Sequence, residues 1–464
     1  MKIHHHYLHG SRFLSWFICS LALLACHPEE PSQEVDPFNP KKAVQLDSYY
    51  PHDGNAGTQM IIRGKNFGND ASIVKVYIDN DYDKPARVIS AHGDRIYAII
   101  PARAGSGIVT VEIGEEDQMQ KVQFAESEDY FNYEFKQTLT TLSGTAGVSG
   151  QEDGKFEEAS YNKPTSLALD EENGLLFVLE QDVKRLRILD LEAETVRTAY
   201  QGNSSVNFIR TVDFASTKDT VILGVEGGAY GLSGLYLLRK EDYSRAKTFS
   251  TIGLTAEKRD KGSNAVIVNP LDNEVFLQCF YTGTVIKYHR DTHEWEEMQK
   301  PFEDNVDFTY CWSSDYQYLF AISKNDWTNW TQTSVIIRMK YDLTTHTLGE
   351  PSYFAGLPGN HGHSDGIGTE ALFNGPWQMC NVPDVPGEYY VADTYNHCIR
   401  KIEDFGGQPV VTTVAGIPLQ AGMSEGEPLK SLLRYPTGVA ANADGTIIYV
   451  ADKDNHRIVK ISIE

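Results

Sequence analysis

The 464-residue chain has few cations: 41 Lys and Arg stand against 64 Asp and Glu, a formal net charge of −23. No extended Lys/Arg-rich run breaks the imbalance, and phosphate-backbone binding needs such a basic stripe, so a nucleic-acid partner is excluded. Cysteine is scarce too, with six in all. Cys279, Cys311, Cys380 and Cys398 lie in the body of the chain without CxxC spacing, which excludes a disulfide framework or a zinc signature and leaves buried free thiols. A long apolar run is also missing. The longest, Phe13 to Ala25, is 13 residues, too short to cross a bilayer core of about 30 Å as a helix.

What is abundant is turn formers and rings: 38 Gly, 19 Pro, 25 Tyr, 20 Phe and 6 Trp. That composition suits a folded all-β chain and not a disordered or coiled-coil one.

The short apolar run follows Lys2 and Arg12 and ends Leu23-Leu24-Ala25-Cys26, the layout of an export signal. It resembles the bacterial lipobox, which implies cleavage after residue 25 and lipidation of Cys26. His4, His5 and His6 fall in the removed segment and are no metal site. The acidic, Pro-rich stretch from His27 to Pro40 reads as a tether and is similar to the export signals of surface lipoproteins in Bacteroidetes-type bacteria. The divisions expected are a signal peptide over 1–25, a lipidated tether over 26–42, a β-sandwich over 43–126 and a propeller over 136–464.

From Val44 to Phe124 short alternating strands such as Val74-Lys75-Val76-Tyr77-Ile78 are separated by turns, as in a sandwich. The run from Tyr50-Pro51 to Arg63-Gly64-Lys65-Asn66-Phe67-Gly68 resembles the opening of an immunoglobulin-like IPT/TIG domain. That resemblance implies a spacer or interaction module.

The remainder is repetitive. Val391-Ala392-Asp393-Thr394-Tyr395-Asn396-His397-Cys398-Ile399-Arg400-Lys401-Ile402 returns 59 residues later as Val450 to Ile461, with eight of twelve positions identical. A Pro-led strand precedes each copy, at Pro376 and Pro436, and a weaker copy starts at Pro164. This motif closely resembles NHL repeats, which build β-propellers. Degenerate copies counted by strand content, from Phe208, Ser263 and Asp307, bring the total to six blades. The chain ends after the third strand of the last blade, so Gln137 to Ser143 is expected to supply the missing outer strand beside Arg457 to Ile463 and close the ring.

In such blades the b–c loops and d–a crossings share one face. The crossings Gly144 to Lys163, Gly356 to Gly375 and Gly416 to Tyr435 are long while the a–b turns are tight, so the long-loop face is the expected site. Its loops carry Tyr230, Tyr281, Trp327, Trp330, Tyr395, His361 and His363. Exposed rings stack on the C–H faces of sugars, so a glycan or other neutral ligand is the expected partner, with no cofactor. Asp393, Asn396 and His397, recurring as Asp452, Asn455 and His456, are read as turn-fixing residues and not as a metal or catalytic set, because a feature of every repeat serves the fold. His361 and His363 alone are a thin metal motif. At the channel mouth Arg210 and Asp307 are the charged candidates, with no His triad.

The combination resembles Bacteroidetes lipoproteins associated with polysaccharide capture, which implies an outer-membrane protein anchored through its lipid only. The resemblance to six-bladed propellers leaves two alternatives: a metal-dependent lyase or lactonase, and a platform for other surface proteins.

Overall fold

The computed structural model describes residues 37–463 apart from 115–121, 205, 228–233, 240, 242, 244, 249–262, 280–282, 290–291, 293, 303–305 and 325–332. The signal segment, Cys26, Tyr230, Tyr281, Trp327 and Trp330 lie outside the described residues.

The first unit is a sandwich of two four-stranded sheets. One orders its strands Gln45–Tyr50, Gln59–Lys65, Arg95–Ile99, Arg87–His92; the other, Asp53–Gly54, Gln123–Tyr133, Gly107–Ile113, Val74–Ile78. The period of two does the sorting: Met60, Ile62, Val109 and Val111 are fully buried between the sheets while their neighbours turn outward. The last strand carries the sandwich past residue 126 to Tyr133.

Among the described residues six further sheets stand around an axis, each built as antiparallel strands a to d from the inside out. The innermost strands are Ser166–Asp170, Val206–Phe214, Ser263–Val268, Phe308–Trp312, Pro376–Asn381 and Pro436–Ala441, in blades 1 to 6. Each packs against the innermost strand of the next blade, and blade 6 against blade 1, which makes the ring. Gln137–Ser143 is the outer strand of blade 6, antiparallel to Arg457–Ile463 with Gln137 opposite Ile463 and Ser143 opposite Ile458. The ring is thus closed by chain from its own beginning, and no last strand is left as an open edge.

The blades are not alike inside. Blades 3 and 4 meet through rings: Phe276 lies edge-on to Trp312 and to Tyr341, both at 5.4 Å between centroids. Blades 1, 5 and 6 hold a buried arginine instead. In blade 5, Arg400 is wholly buried, donates to Asp393 on strand b at 3.0 Å and to Asp365 on the preceding crossing at 2.8 Å, and covers the Phe373 ring at 5.1 Å. Arg187 in blade 1 pairs with Glu180 and Asp153 in the same way and covers Tyr161. Blade 6 uses Arg457 with Asp452 and Glu425. Arg457 stands two places earlier in its strand than Arg400 does, and a two-residue shift keeps a side chain on the same face of a strand.

Those networks alter the reading of the long crossings. Each runs outward along its blade: Gly154–Lys155 and Gly366–Ile367 pair as a fifth strand with the outer strands of blades 1 and 5, and Gly426 bridges Leu139 in blade 6. Much of their length is spent covering buried arginines, so loop length overstated the free surface of this face.

The sandwich rests on the opposite face. Arg103 donates to the carbonyl oxygens of Asp444 and Gly445 in the a–b turn of blade 6 and lies 3.5 Å from Glu388 of blade 5.

Candidate functional site

The ring leaves a cavity of about 320 Å³ on its axis, lined by the innermost strands of all six blades. It runs from Ser166, Thr309 and Trp377, each at or next to the first residue of its strand, and from Arg210 in mid-strand, to Ser216 and Pro270 in the a–b turns and Asn381 at the end of its strand. That volume lies at the lower end of the roughly 300–1,000 Å³ range of small-molecule sites.

Its walls are set by side chains that bond the inner edge of a neighbouring strand. The Gln378 amide accepts from the Leu167 N–H at 3.0 Å and donates to the Leu167 carbonyl at 2.7 Å, reaching from blade 5 past blade 6 to blade 1. Residue 438 of blade 6 is glycine, where a Cβ would stand 2.9 Å from the Leu167 side chain and 3.0 Å from Ala451, so blades 6 and 1 approach closely there. Thr211 and Asp213 accept from the Val266 and Val268 N–H groups and join blades 2 and 3. Burial pushes the Asp213 carboxyl up to about 6, yet its bonds to backbone N–H groups make it a latch between blades. Cys311 and Cys380 also line the cavity as free thiols, and burial pushes the Cys380 thiol up to about 12.

The charged population of the mouth is larger than expected from the sequence. Arg210 is there and covers the Phe208 ring at 4.6 Å, and Asp307 is there. Two lysines join them. Lys324 Nζ lies 4.4 Å from the centre of the Trp377 indole and 3.5 Å from Asp307, and Lys453 Nζ lies 5.5 Å from the same indole. Lys324 is 2% exposed, and burial lowers its pKa against the pull of Asp307. Both lysines were missed because they sit just after strand b, not on the innermost strands. The available signal was the repeat: Lys453 stands where blade 5 has Thr394, and Lys324 takes the same place after Ser323, which pairs with Phe308 as Asp393 pairs with Pro376.

The other named residues spread away from the axis. Tyr395 stands 36% exposed on the b–c turn of blade 5, edge-on to Tyr435 at 5.8 Å. His361 is exposed on the crossing before that blade. His363 bonds Thr413 Oγ1 on the outer strand at 2.8 Å, and burial together with Arg400 lowers its pKa. Among the described residues no three His, Cys, Asp or Glu side chains gather in a metal-holding group.

The turn motif behaves as a turn motif. Asp393 accepts from the Asn374 N–H and the Asn396 amide, each at 2.8 Å, as well as from Arg400. His397 and His456 both adopt left-handed backbone, with φ of 59° and 55°. Their Nδ1 atoms accept from the N–H groups of Tyr435 and Lys163, each the residue before the proline that opens the next blade's inner strand. An Nδ1 that accepts requires the neutral ring, and burial lowers both pKa values accordingly.

Comparison with known proteins agrees with this architecture. The IPT/TIG domain family matches residues 45–133 and the NHL repeat family matches residues 433–461. An auxiliary nutrient binding protein from Bacteroides thetaiotaomicron superposes with a TM-score of 0.62 at 24% identity, covering 92% of this chain and 99% of its own. A second auxiliary nutrient binding protein, from Bacteroides ovatus, gives 0.63 at 23% identity over 92% and 100%. Human NHL repeat-containing protein 2 is 24% identical over 329 residues, which are 68% of this chain and 41% of that protein. The chain spans less than half the length of the curated relatives it matches. From sheet order, ring closure and these matches, the chain is an IPT/TIG domain followed by a β-propeller that carries an NHL repeat.

Proposed function

We propose that this protein is a cell-surface lipoprotein that captures a glycan at the axial mouth of its propeller, with the sandwich as a spacer from the membrane. The observation that carries this reading is the axial cavity of about 320 Å³ with Trp377 and Arg210 at its mouth, a concave site that offers an aromatic ring and a hydrogen-bond donor together. The similarity to two Bacteroides auxiliary nutrient binding proteins supports it, and so does the resemblance of the segment ending at Cys26 to a lipobox. Tyr230, Tyr281, Trp327 and Trp330 belong to the same proposal on their sequence alone. Tyr395, His361 and His363, lying outward on blade 5, would contact only the far end of an extended ligand.

The test is electrophoresis of the purified protein through gels containing different polysaccharides. At least one should retard the wild type, and Trp377→Ala should lose most of that retardation while Trp327→Ala/Trp330→Ala loses less. If no polysaccharide retards the wild type, the reading fails. Radiolabelled palmitate should be incorporated in a bacterial host and be lost in Cys26→Ala.

A further inference from the structure

Three positions at the mouth differ from their counterparts in other blades, and all three converge on one point. Where Trp377 stands, blades 1 and 6 have Thr165 and Thr437, whose hydroxyls donate to backbone carbonyls at 3.2 Å. Where Lys324 and Lys453 stand, blade 5 has Thr394, whose hydroxyl donates to the Pro436 carbonyl at 2.7 Å. The fold therefore has a neutral, self-satisfied solution for each position. At Trp377 and its two neighbours it is replaced by an indole with an ammonium group from either adjacent blade.

That arrangement is costly unless something else uses it. Lys324 and Lys453 bring two ammonium groups to the Trp377 ring, and the Asp307 carboxylate lies 3.5 Å from the first of them. Two ammonium groups facing one ring repel each other, the more so where one is as deeply buried as Lys324, and such a pair is unexpected in a chain of net charge −23. An anion entering the mouth would relieve the repulsion and add charge-assisted hydrogen bonds. The sugar ring that carries it would meet the aromatic wall of the cavity at Trp377.

We infer that the mouth is a subsite for the anionic substituent of an acidic polysaccharide, a carboxylate or a sulfate ester, held between Lys324 and Lys453 beside Trp377. This rests on the glycan-capture reading and changes its ligand class from neutral to acidic.

The experiment is titration calorimetry of the full chain with polygalacturonate, fully methyl-esterified pectin, dextran sulfate and dextran. Wild type, Lys324→Met, Lys453→Met and Lys324→Arg are compared, and a thermal melt establishes that each variant is folded. The expected result is binding of polygalacturonate or dextran sulfate, weakened about tenfold or more by each Lys→Met change and by raising salt, and largely kept in Lys324→Arg. Polygalacturonate bound without dextran sulfate assigns a carboxylate, and the reverse a sulfate. Lys453 lies at the surface, so its variant keeps the test open if Lys324→Met fails to fold. Binding of a neutral polymer with the lysine variants unaffected overturns the inference and leaves the glycan reading intact. No binding to any of the four polymers, with none to a broader neutral panel, overturns both.

Discussion

Blades 4 and 5 are neighbours with the same strand plan and opposite interiors. Blade 5 closes the top of strand b with Asp393 and places Arg400 on strand c, a buried pair tied to Asp365, Asn396 and three backbone groups. In blade 4 the matching positions hold Ser323 and Ile337: the serine exchanges hydrogen bonds with Val335, and the isoleucine joins a cluster of Phe308, Trp312 and Tyr341. One blade specifies its turn with a charged network, the other with a hydroxyl and rings. Buried ion pairs fix geometry more than they stabilise, since desolvation offsets most of their attraction. The lysine after strand b is independent of that choice, for it follows the serine of blade 4 as Lys324 and the paired aspartate of blade 6 as Lys453.

The comparison is broken most directly by removing one charge. Arg400→Met should destabilise the protein by about 3–5 kcal/mol, because it leaves Asp393 buried without its cation. Thermal or chemical unfolding measures this, and Ile337→Val in blade 4, at about 1 kcal/mol, sets the scale of an ordinary packing loss. Giving blade 5 the interior of blade 4, Asp393→Ser with Arg400→Ile, should recover more than half of the single variant's loss. A double variant as unstable as Arg400→Met would show that the two interiors are not interchangeable solutions.

A smaller effect lies in pH. Burial pushes the Asp393 carboxyl up to about 6 even beside Arg400. The folded state therefore holds that proton more tightly than the unfolded chain, so the charged form costs stability above about pH 6 and the cost fades as pH falls through 6 toward 4. Without Arg400 the carboxyl rises further, so the deficit of Arg400→Met should be largest near pH 8 and narrow by roughly 1–2 kcal/mol at pH 5. Melting curves across that range should show the narrowing in the single variant and none in the double, which lacks the carboxyl.

How much of this was legible follows the same division. Where the repeat is strong, as at Asp393, Asn396 and His397, sequence recurrence was enough to recognise turn residues, and the outer strand Gln137–Ser143 followed from counting strands. The buried arginines were less visible, because Arg457 aligns with Cys398 and only the two-residue period of a strand shows that it serves as Arg400 does. The mouth was legible in part. Arg210 lies on an innermost strand and was found; Lys324 and Lys453 point to the axis from b–c turns, and that convergence belongs to the ring and to no single blade. Loop length misled for a physical reason: the long crossings are packed against the outer strands, where His363 bonds Thr413.

His397 tests the turn itself. Its ring accepts the N–H before Pro436 and its backbone is left-handed, a conformation asparagine tolerates and alanine does not. His397→Asn should cost about 0.5–1 kcal/mol and His397→Ala about 1–2 kcal/mol, read from denaturant midpoints. Equal costs would mean that the accepted N–H, and not the backbone conformation, fixes the turn.

The smallest expected change in stability is at Lys324, and its smallness is what sharpens the comparison. Its ammonium is almost fully buried, the Asp307 carboxylate stands 3.5 Å away, and nearby Arg210 and Lys453 oppose its charge. Lys324→Met keeps the length of the side chain and removes a poorly compensated buried charge, so stability should stay within about 1 kcal/mol of wild type or rise. The same kind of change at Arg400 should cost several times more, because that cation is held by two carboxylates, Asp393 and Asp365, and by two backbone carbonyls. A large loss at Lys324 would place it with Arg400 as a structural element of its blade; a neutral or stabilising result marks it as a residue kept for something other than folding.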